Sequence, residues 1–271
     1  MTPWRAWGVA LALLLVSGSV GPARADVVIL IHGYISGDEA WAKSGVTREL
    51  MKKGWESGGS VTAIGSGGGL KFRGVAPKTD RVFYLADLPS EAPLRIQADA
   101  LKEILLAIRK QRGVERTHLV GHSAGGVVAR VLMVREPDLS IHTLITIASP
   151  HLGTDKAEVA GLIASTPLSM MAPMMGMDTL NRSKSLYDDL ARERPGNFLH
   201  WLNQQPHPKA RYLSIVRREG FVFGDNTVPA WSQDMRKIDA LKDQAVTAIT
   251  IGTNHALDEE DGGAVVEWLG R

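Results

Sequence analysis

The stretch LVGHSAGGVVAR (residues 119–130) decides the fold that this sequence predicts. Within it, Gly121, Ser123 and Gly125 match the pattern G-x-S-x-G, in which a sharp turn between a strand and a helix exposes a serine hydroxyl. Small residues are needed there because bulky neighbours would obstruct the strained backbone. The same pattern also occurs in ordinary glycine-rich turns, so the surrounding elements decide its meaning.

Those elements alternate between strands and helices along most of the chain. Continuous apolar runs predict strands that are buried on both faces of a parallel sheet, and apolar residues at helical spacing predict helices. The predicted strands are residues 27–31, 81–85, 117–120, 143–148, 212–216 and 246–251, and the predicted helices are residues 98–112, 126–135 and 257–269. This order indicates an α/β protein with a mainly parallel central sheet flanked by helices.

Two segments interrupt the alternation. Residues 65–74 (GSGGGLKFRG) predict a flexible loop, which lacks the Gly-Lys-Ser/Thr ending of a phosphate-binding loop. Residues 153–209 form an insertion with a polar helical stretch over residues 185–194. The insertion also holds a methionine cluster, which would suit either a packed core or an adaptable apolar surface. Its members are Met170, Met171, Met174, Met175 and Met177.

The first 25 residues predict a signal peptide. Arg5 precedes an apolar run over residues 6–20, and Ala23 and Ala25 supply the small residues of a cleavage site. The alternative is an uncleaved membrane anchor, although the run is shorter than the ~20 apolar residues that a spanning helix needs. We therefore predict export to the periplasm or beyond, with residues 26–271 forming one domain.

Composition excludes several classes of function. The predicted cleavage removes Arg5 and Arg24 and no acidic residue, which brings the formal net charge from +2 to 0. A neutral chain without a basic block gives no electrostatic case for nucleic acid as a partner. The sequence contains no cysteine, so disulfides, thiol catalysis and thiolate metal sites are excluded.

A serine nucleophile needs a base and a carboxylate that orients the base, and in this kind of sheet both follow the serine, with the carboxylate first. Of the five histidines after Ser123, only His255 stands just past the last predicted strand, at the edge where ligands bind in parallel sheets. Asp225 lies in the turn-prone loop after the preceding strand. Asp234 and Asp239 are alternatives, but they fall in a segment that looks helical.

The negative oxygen that forms when a serine attacks a carbonyl needs hydrogen-bond donors fixed in advance. The amide of Ala124 follows the nucleophile in the predicted turn. The sequence His-Gly-Tyr after the first strand offers the amide of Tyr34 as the second donor. We assign these two backbone N–H groups as the oxyanion hole.

These residues resemble the α/β-hydrolase superfamily, and within it the bacterial lipases and esterases. The resemblance covers nearly all of residues 26–271 and rests on five segments. They are VILIHGY (28–34), HLVGHSAGGVVAR (118–130), ITIASPHLGT (145–154), GDNTVP (224–229) and NHAL (254–257). It implies the same roles for Ser123, Asp225 and His255 as nucleophile, acid and base. Unlike some secreted lipases, the chain has no cysteine pair.

The resemblance also implies an activity. We expect carboxylic esters, including lipids, to be cleaved through an acyl-enzyme on Ser123, with no cofactor. A helical cap or lid within residues 153–209 would cover the site, meet a lipid interface and bring Met170, Met171 and Met174 to the substrate. The alternatives are a thioesterase or acyltransferase with the same triad, and a non-catalytic lipid-binding protein on the same scaffold.

Some lipases of this kind carry a structural calcium ion, so the acidic run at residues 258–261 has two interpretations. The run lacks the alternate spacing of a calcium loop. It lies at the predicted start of the last helix, where acidic side chains are favoured by the helix dipole. We therefore predict no metal site.

Overall fold

The computed structural model describes residues 25–64, 69–155, 183–219, 222–252 and 254–271. Residues 1–24 of the predicted signal peptide lie outside these ranges, as do Met170, Met171 and Met174. Among the described residues, no helix combines the length and the apolar character needed to cross a membrane.

The described ranges contain nine strands and eight α-helices, which alternate for most of the chain. The strands are β1 (Asp26–Ile31), β2 (Glu56–Ala63), β3 (Leu70–Arg73), β4 (Arg81–Asp87), β5 (Arg116–His122), β6 (Thr143–Ile147), β7 (Arg211–Glu219), β8 (Val222–Phe223) and β9 (Ala245–Ile251). The helices are α1 (Ala40–Lys43), α2 (Val46–Lys52), α3 (Leu94–Arg112), α4 (Ala124–Arg135), α5 (Lys184–Asp189), α6 (Phe198–Gln204), α7 (Ala230–Gln233) and α8 (Glu259–Leu269).

One sheet contains these strands in the order β3-β2-β4-β1-β5-β6-β7, with β9 also paired to β7. All neighbours along β2-β4-β1-β5-β6-β7-β9 are parallel. Among the described strands, β3 pairs antiparallel with β2, and the two-residue β8 pairs antiparallel with the end of β7. The mainly parallel α/β sheet predicted from the sequence is confirmed.

Separate apolar clusters cover the two faces of the sheet. Val27, Ile29 and Ile31 of β1 belong to the cluster formed with α3 and α4. Val28 and Leu30 belong to the other cluster, formed with α2 and α8. Because successive side chains of a strand point to opposite faces, a central strand covered on both sides must be apolar throughout. The uninterrupted apolar run of β1 follows from this burial.

The predicted loop over residues 65–74 is wrong where β3 forms. The sequence does not predict β2, the strand that pairs with β3, because β2 contains Gly58 and Gly59 and glycine is depleted in strands. The structure requires both glycines. A Cβ on Gly58 would lie 2.2 Å from the ring of Tyr84, and one on Gly59 would lie 1.9 Å from the carbonyl oxygen of Arg73. Close approach between neighbouring strands, which no local pattern reports, explains the error.

The helix predicted over residues 185–194 is also too long. In the structure α5 ends at Asp189, and Ala191 forms a parallel bridge with Thr154. The amide of Thr154 donates to the carbonyl of Leu190, and the amide of Arg192 donates to the carbonyl of Thr154. Backbone pairing with a distant segment therefore ends the helix.

Candidate active site

Ser123 lies in a sharp turn between β5, which ends at His122, and α4, which begins at Ala124. Its backbone has φ 52° and ψ −129°, a conformation that residues with a side chain rarely adopt. The amide of Ser123 donates to the carbonyl of Ile147 on the neighbouring strand β6 at 2.9 Å. The predicted strand, turn and helix are therefore present, and the hydroxyl lies at the carboxyl end of a central strand.

Close contacts explain the glycines of the G-x-S-x-G pattern. A Cβ on Gly121 would lie 2.4 Å from the Cα of Gly126, and one on Gly125 would lie 2.4 Å from the carbonyl oxygen of His32. The first turn of α4 thus packs on the backbone of β5 and on the loop after β1. An alanine at either position would force the helix away from the sheet.

The structure brings the side chains of Ser123, His255 and Asp225 together. The Nε2 atom of His255 lies 2.8 Å from Ser123 Oγ, and its Nδ1 atom lies 2.8 Å from Asp225 Oδ2. Ser123 is 5% exposed and His255 8%, and the Asp225 side chain has no exposed surface. This arrangement suits transfer of the serine proton to the imidazole, with the carboxylate accepting from the other ring nitrogen.

Several donors hold the Asp225 carboxylate in place. Its Oδ1 atom accepts from the amides of Thr227 at 2.8 Å and Val228 at 2.6 Å. Its Oδ2 atom, which faces His255, also accepts from Nε2 of Gln233 at 3.2 Å. Gln233 is fully buried and was missed in the sequence, because nothing in the local pattern distinguishes it from other polar residues before a turn.

The two alternative acids do not contact His255. Asp234 accepts from the guanidinium of Arg236 at 2.8 Å and from the hydroxyl of Thr247 at 2.8 Å. Asp239 lines a different surface cavity, together with His200. The loop placement that favoured Asp225 in the sequence therefore agrees with the geometry.

The loop after β1 packs directly against the nucleophile. A Cβ on Gly33 would lie 2.9 Å from the Cβ and 3.4 Å from the Oγ of Ser123. The ring of His32 fixes this loop, because its Nε2 accepts from the amide of Leu88 at 3.1 Å and its Nδ1 lies 2.9 Å from the carbonyl oxygen of Gly33. The backbone of Tyr34 follows next in the chain. The segment predicted to supply an oxyanion donor thus lies beside the serine.

A mainly apolar cleft opens at Ser123. It is lined by Tyr34, Ser123, Ala124, Pro150, Thr154, Leu186, Tyr187, Leu190, Thr227 and Val228. The hydroxyl of Tyr34 donates to Ser183 Oγ at 3.0 Å and makes a short hydrogen bond with the hydroxyl of Tyr187. Part of the predicted insertion, in and around α5, therefore forms one wall of the cleft.

Arg217 was also missed in the sequence, because it follows the predicted strand 212–216 and is next to two further charged residues, Arg218 and Glu219, which gives it the pattern of a strand end. It has no exposed surface. Its guanidinium forms an ion pair with Asp261 of α8 through two contacts of 2.6 Å and donates to the carbonyl of Ala256 at 2.8 Å. Its backbone amide donates to Gln233 Oε1 at 2.9 Å. Arg217 thus contacts the residue after His255 and the side chain that holds Asp225.

A second hydrogen bond fixes the backbone of His255. The Nε2 atom of His122, the residue before the nucleophile, lies 2.8 Å from the carbonyl oxygen of His255. Burial holds the pKa of His122 well below its usual range, and the adjacent His255 lowers it further. The ring is therefore neutral, and its Nε2–H group donates to that carbonyl.

The acidic run at residues 258–261 begins a helix, as predicted. Asp258 accepts from the amide of Asp261, and the Asp261 side chain accepts from the amide of Asp258, which together form a capping box at the start of α8. Among the described residues, no group of three or more histidine or carboxylate side chains is arranged to hold a metal ion.

Comparison with known sequences places this site in context. The model of a PGAP1-like alpha/beta domain matches residues 94–159. A pimeloyl-[acyl-carrier protein] methyl ester esterase from Aeromonas salmonicida is 31% identical over 138 residues, which are 46% of this chain and 52% of that protein. The chain thus spans about half the length of the curated relative that it matches.

Solved structures match over most of the chain. The product of a Listeria innocua gene has a TM-score of 0.59 at 17% identity, covering 88% of both chains. The mature lipase BlEst2 from Bacillus licheniformis has a TM-score of 0.57 at 16% identity, covering 92% of both. Est1E from Butyrivibrio proteoclasticus has a TM-score of 0.54 at 15% identity, covering 92% of this chain and 88% of the other. At these identities the likeness shows the fold, and it confirms the predicted fold class.

Proposed function

We propose that this chain is a serine hydrolase of carboxylic esters in the α/β-hydrolase superfamily, with Ser123 as nucleophile, His255 as base and Asp225 as acid. The observation that carries the proposal is the continuous hydrogen-bond chain between these side chains, with both distances 2.8 Å. The matched relative is named as an esterase and one structural neighbour as a lipase, which supports ester hydrolysis.

In the proposed first half-reaction, Oγ of Ser123 attacks the ester carbonyl while His255 Nε2 takes the hydroxyl proton. Asp225 accepts from Nδ1–H and stabilises the imidazolium that forms. The carbonyl oxygen becomes negative, and the amides of Tyr34 and Ala124 would donate to it. Collapse of this intermediate expels the alcohol, which takes its proton from the imidazolium, and leaves an acyl group on Ser123.

In the second half-reaction, His255 accepts a proton from water, and the resulting hydroxide equivalent attacks the acyl-enzyme. The same amides stabilise the second intermediate. Its collapse releases the carboxylic acid, and the imidazolium of His255 returns its proton to Oγ of Ser123, which restores both side chains. Both halves need a neutral imidazole on His255, because a protonated ring cannot accept a proton. The proposal involves no cofactor.

The apolar lining of the cleft supports an acyl chain as the bound group. We propose an ester or lipid substrate, with Met170, Met171 and Met174 forming an adaptable apolar surface in the cap and lid over residues 153–209. A variant without residues 168–177 tests this part. Its preference between short-chain and long-chain p-nitrophenyl esters is expected to change, and an unchanged preference would contradict the role.

Export is a further part of the proposal. Residues 1–25 would direct the chain to the periplasm or beyond and then be removed. Amino-terminal sequencing of the exported protein tests this directly, with Asp26 expected as the first residue. Recovery of an uncleaved, membrane-bound chain would instead support the anchor.

Hydrolysis of p-nitrophenyl esters by the wild type and by Ser123→Ala tests the central proposal. Loss of one triad member is expected to lower kcat by a factor of about 10⁴ to 10⁶ in a folded protein. Labelling by a fluorophosphonate probe is expected for the wild type and not for the variant. Retained turnover in the variant would remove Ser123 from the mechanism, and an inert, unlabelled wild type would favour a non-catalytic lipid-binding protein.

A further inference from the structure

A second cavity lies at the opposite edge of the sheet, where the parallel strands begin. Its volume is about 550 Å³, and it is lined by Asp26, Trp55, Arg81, Arg116, His118, His142, Arg211, Leu269, Gly270 and Arg271. β5 runs from Arg116 in this cavity to His122 beside the nucleophile, so about 20 Å of strand separates the two sites. The cavity is therefore distinct from the candidate active site.

The register of the sheet gathers charged residues at this edge. Asp26 of β1 is paired with Arg81 of β4 on one side and with Arg116 of β5 on the other. On β7, Arg211 is paired with Thr143, the residue after His142. Arginines that are far apart in a nearly neutral sequence thus form one row. The sequence shows no basic block because the sheet, not the chain order, brings these residues together.

Two arginines of the row lack an anionic partner in the part of the chain that the structure describes. Asp26 is engaged by Arg116 through contacts of 2.9 and 2.6 Å. The guanidinium of Arg271 pairs with Glu267 at 2.5 Å. Neither Arg81 nor Arg211 has a described carboxylate within 4.0 Å. The cavity therefore holds two positive charges that no described side chain neutralises.

Aromatic rings and backbone carbonyls hold these two guanidinium groups in place. Arg81 donates to the carbonyl of Lys53 at 3.0 Å and lies 4.6 Å above the ring of Trp55. Arg211 donates to the carbonyl of Trp268 at 2.8 Å and lies 4.9 Å above that residue's ring. Such contacts orient a guanidinium without cancelling its charge.

The histidines of the cavity experience this positive charge. Burial lowers the pKa of His118, and His142, Arg116 and Arg211 act in the same direction while Asp26 opposes them, which together bring the pKa to about 4. Burial also lowers the pKa of His142, and Arg116 and Arg211 act in the same direction. Both rings are therefore neutral at pH 7, and they offer hydrogen bonds rather than additional charge.

We propose that this cavity binds a phosphate group, carried either by a soluble phosphate ester or by the headgroup of an anionic lipid. The two unpaired guanidinium groups match the charge of a dianionic phosphate, and their planar N–H forks suit its oxygens. A carboxylate would neutralise only one of them. The cavity is large enough for the phosphate and the group that carries it. This site does not depend on the proposed catalytic activity.

Calorimetric titration of the full chain at low ionic strength tests the proposal, with inorganic phosphate and glycerol 3-phosphate as probes and acetate for comparison. We expect both phosphates to bind and acetate to bind at least about tenfold more weakly. Arg81→Gln combined with Arg211→Gln is expected to weaken phosphate binding by at least about tenfold. Lys110→Gln combined with Lys242→Gln changes two exposed lysines elsewhere and is expected to leave binding unchanged.

Vesicle flotation separates the two sources of the phosphate. Binding to phosphatidylcholine vesicles with and without phosphatidylglycerol is compared for the wild type, the double arginine variant and the double lysine variant. Binding to the anionic vesicles that the arginine variant loses and the lysine variant keeps would identify a lipid headgroup. Binding of glycerol 3-phosphate without vesicle binding would identify a soluble ester. Binding of neither probe would overturn the proposal.

Histidine titration in the wild-type protein provides a test that does not depend on whether the variants fold. Because binding and protonation are linked, bound phosphate should raise the pKa of His118 and His142, and NMR titration of the ring protons with and without glycerol 3-phosphate measures this shift. Unchanged histidine titrations alongside a calorimetric signal would place the phosphate elsewhere and contradict the assignment.

Discussion

The guanidinium of Arg217 and the carboxylate of Asp261 lie 2.6 Å apart at both of their contacts, with neither side chain exposed to solvent. The same guanidinium donates to the carbonyl of Ala256, the residue after His255. A buried ion pair contributes little net stability compared with apolar residues of similar volume, but removing one partner is costly. The contact with Ala256 therefore explains the presence of the pair better than stability does.

Replacing both Arg217 and Asp261 separates their effect on the position of His255 from their effect on the free energy of unfolding. Arg217→Met combined with Asp261→Leu is expected to lower the free energy of unfolding by no more than about 2 kcal/mol, because no buried charge remains unpaired and the main loss is the hydrogen bond that Asp261 accepts from the amide of Asp258. We expect kcat for p-nitrophenyl esters to fall about tenfold or more, with little change in KM, because the segment carrying His255 loses a support. Urea unfolding and steady-state kinetics measure the two effects.

Two controls complete this test: a variant that replaces Arg217 alone, and a variant that replaces both members of a more exposed ion pair. Arg217→Met alone leaves Asp261 buried and unpaired and is expected to lower the free energy of unfolding by about 3–5 kcal/mol. Lys102→Met combined with Glu136→Leu removes a partly exposed pair between α3 and the end of α4 and is expected to change neither quantity appreciably. Full kcat in the double Arg217 and Asp261 variant would show that the pair does not position His255.

The identity of the acid is tested by three aspartates in one region. Asp225→Asn is expected to lower kcat by about 10⁴, because an amide cannot hold the imidazole in the tautomer that accepts the serine proton. Asp239→Asn alters a residue that lines another cavity and is expected to leave kcat unchanged. Asp234→Asn weakens the contacts with Arg236 and Thr247, so it is expected to lower stability rather than kcat. A loss of kcat in either of these two variants comparable to that of Asp225→Asn would reassign the acid.

Adjacent glycines in α8 are expected to respond in opposite ways to alanine. A Cβ on Gly262 would lie 2.9 Å from the Cβ of Glu49 and 3.0 Å from the Cα of Val46, whereas one on Gly263 would meet nothing within 4 Å. Gly262→Ala is therefore expected to lower the free energy of unfolding by about 1–3 kcal/mol. Gly263→Ala should raise it by about 0.5–1 kcal/mol, because alanine is the better helix former. Thermal unfolding of both variants checks the pair, and equal responses would refute the close packing of α8 on α2.

Acid is expected to destabilise the fold through its buried histidines. The pKa of His118 is lowered to about 4 by burial, whereas a histidine in the unfolded chain titrates near 6.5. As the pH falls between these values, the unfolded chain binds a proton that the folded chain does not. The contribution of His118 is thus complete above about pH 6.5 and is lost progressively down to about pH 4, amounting to about 3 kcal/mol.

His118→Phe removes this titration and is expected to flatten the pH dependence of the free energy of unfolding between about pH 6.5 and pH 4. Urea unfolding at several pH values measures the slope. His200→Gln, which changes a less buried histidine on α6, serves as the control. An unaltered slope in His118→Phe would mean that other groups determine the acid sensitivity.

The sequence predictions agree with the structure where the local residue pattern is itself a consequence of tertiary packing. The apolar run of β1 is continuous because both of its faces are buried, so the pattern alone identifies a central parallel strand. The glycines around Ser123 mark the elbow because close backbone contacts permit nothing larger. Order along the chain was enough to select Asp225 and His255, because parallel strands deliver their carboxyl ends to one edge of the sheet.

Predictions failed where contacts between distant segments override local preference. Gly58 and Gly59 conceal β2, although the approach of Tyr84 and Arg73 makes glycine necessary there. The end of α5 is set by the bridge between Thr154 and Ala191 rather than by a local stop signal. A propensity belongs to the residue itself, whereas these contacts belong to pairs of segments that the fold brings together.

The sequence by itself predicted six of the strands in the sheet, the elbow at Ser123 and the placement of Asp225 and His255 near it, because each depends on residue type and position along the chain. Only the tertiary structure decided how Arg217 and His122 hold the segment around His255, and how arginines from separate strands meet around one cavity. These contacts depend on the register between strands and on the direction of the side chains, and neither produces a periodic pattern in the amino-acid sequence.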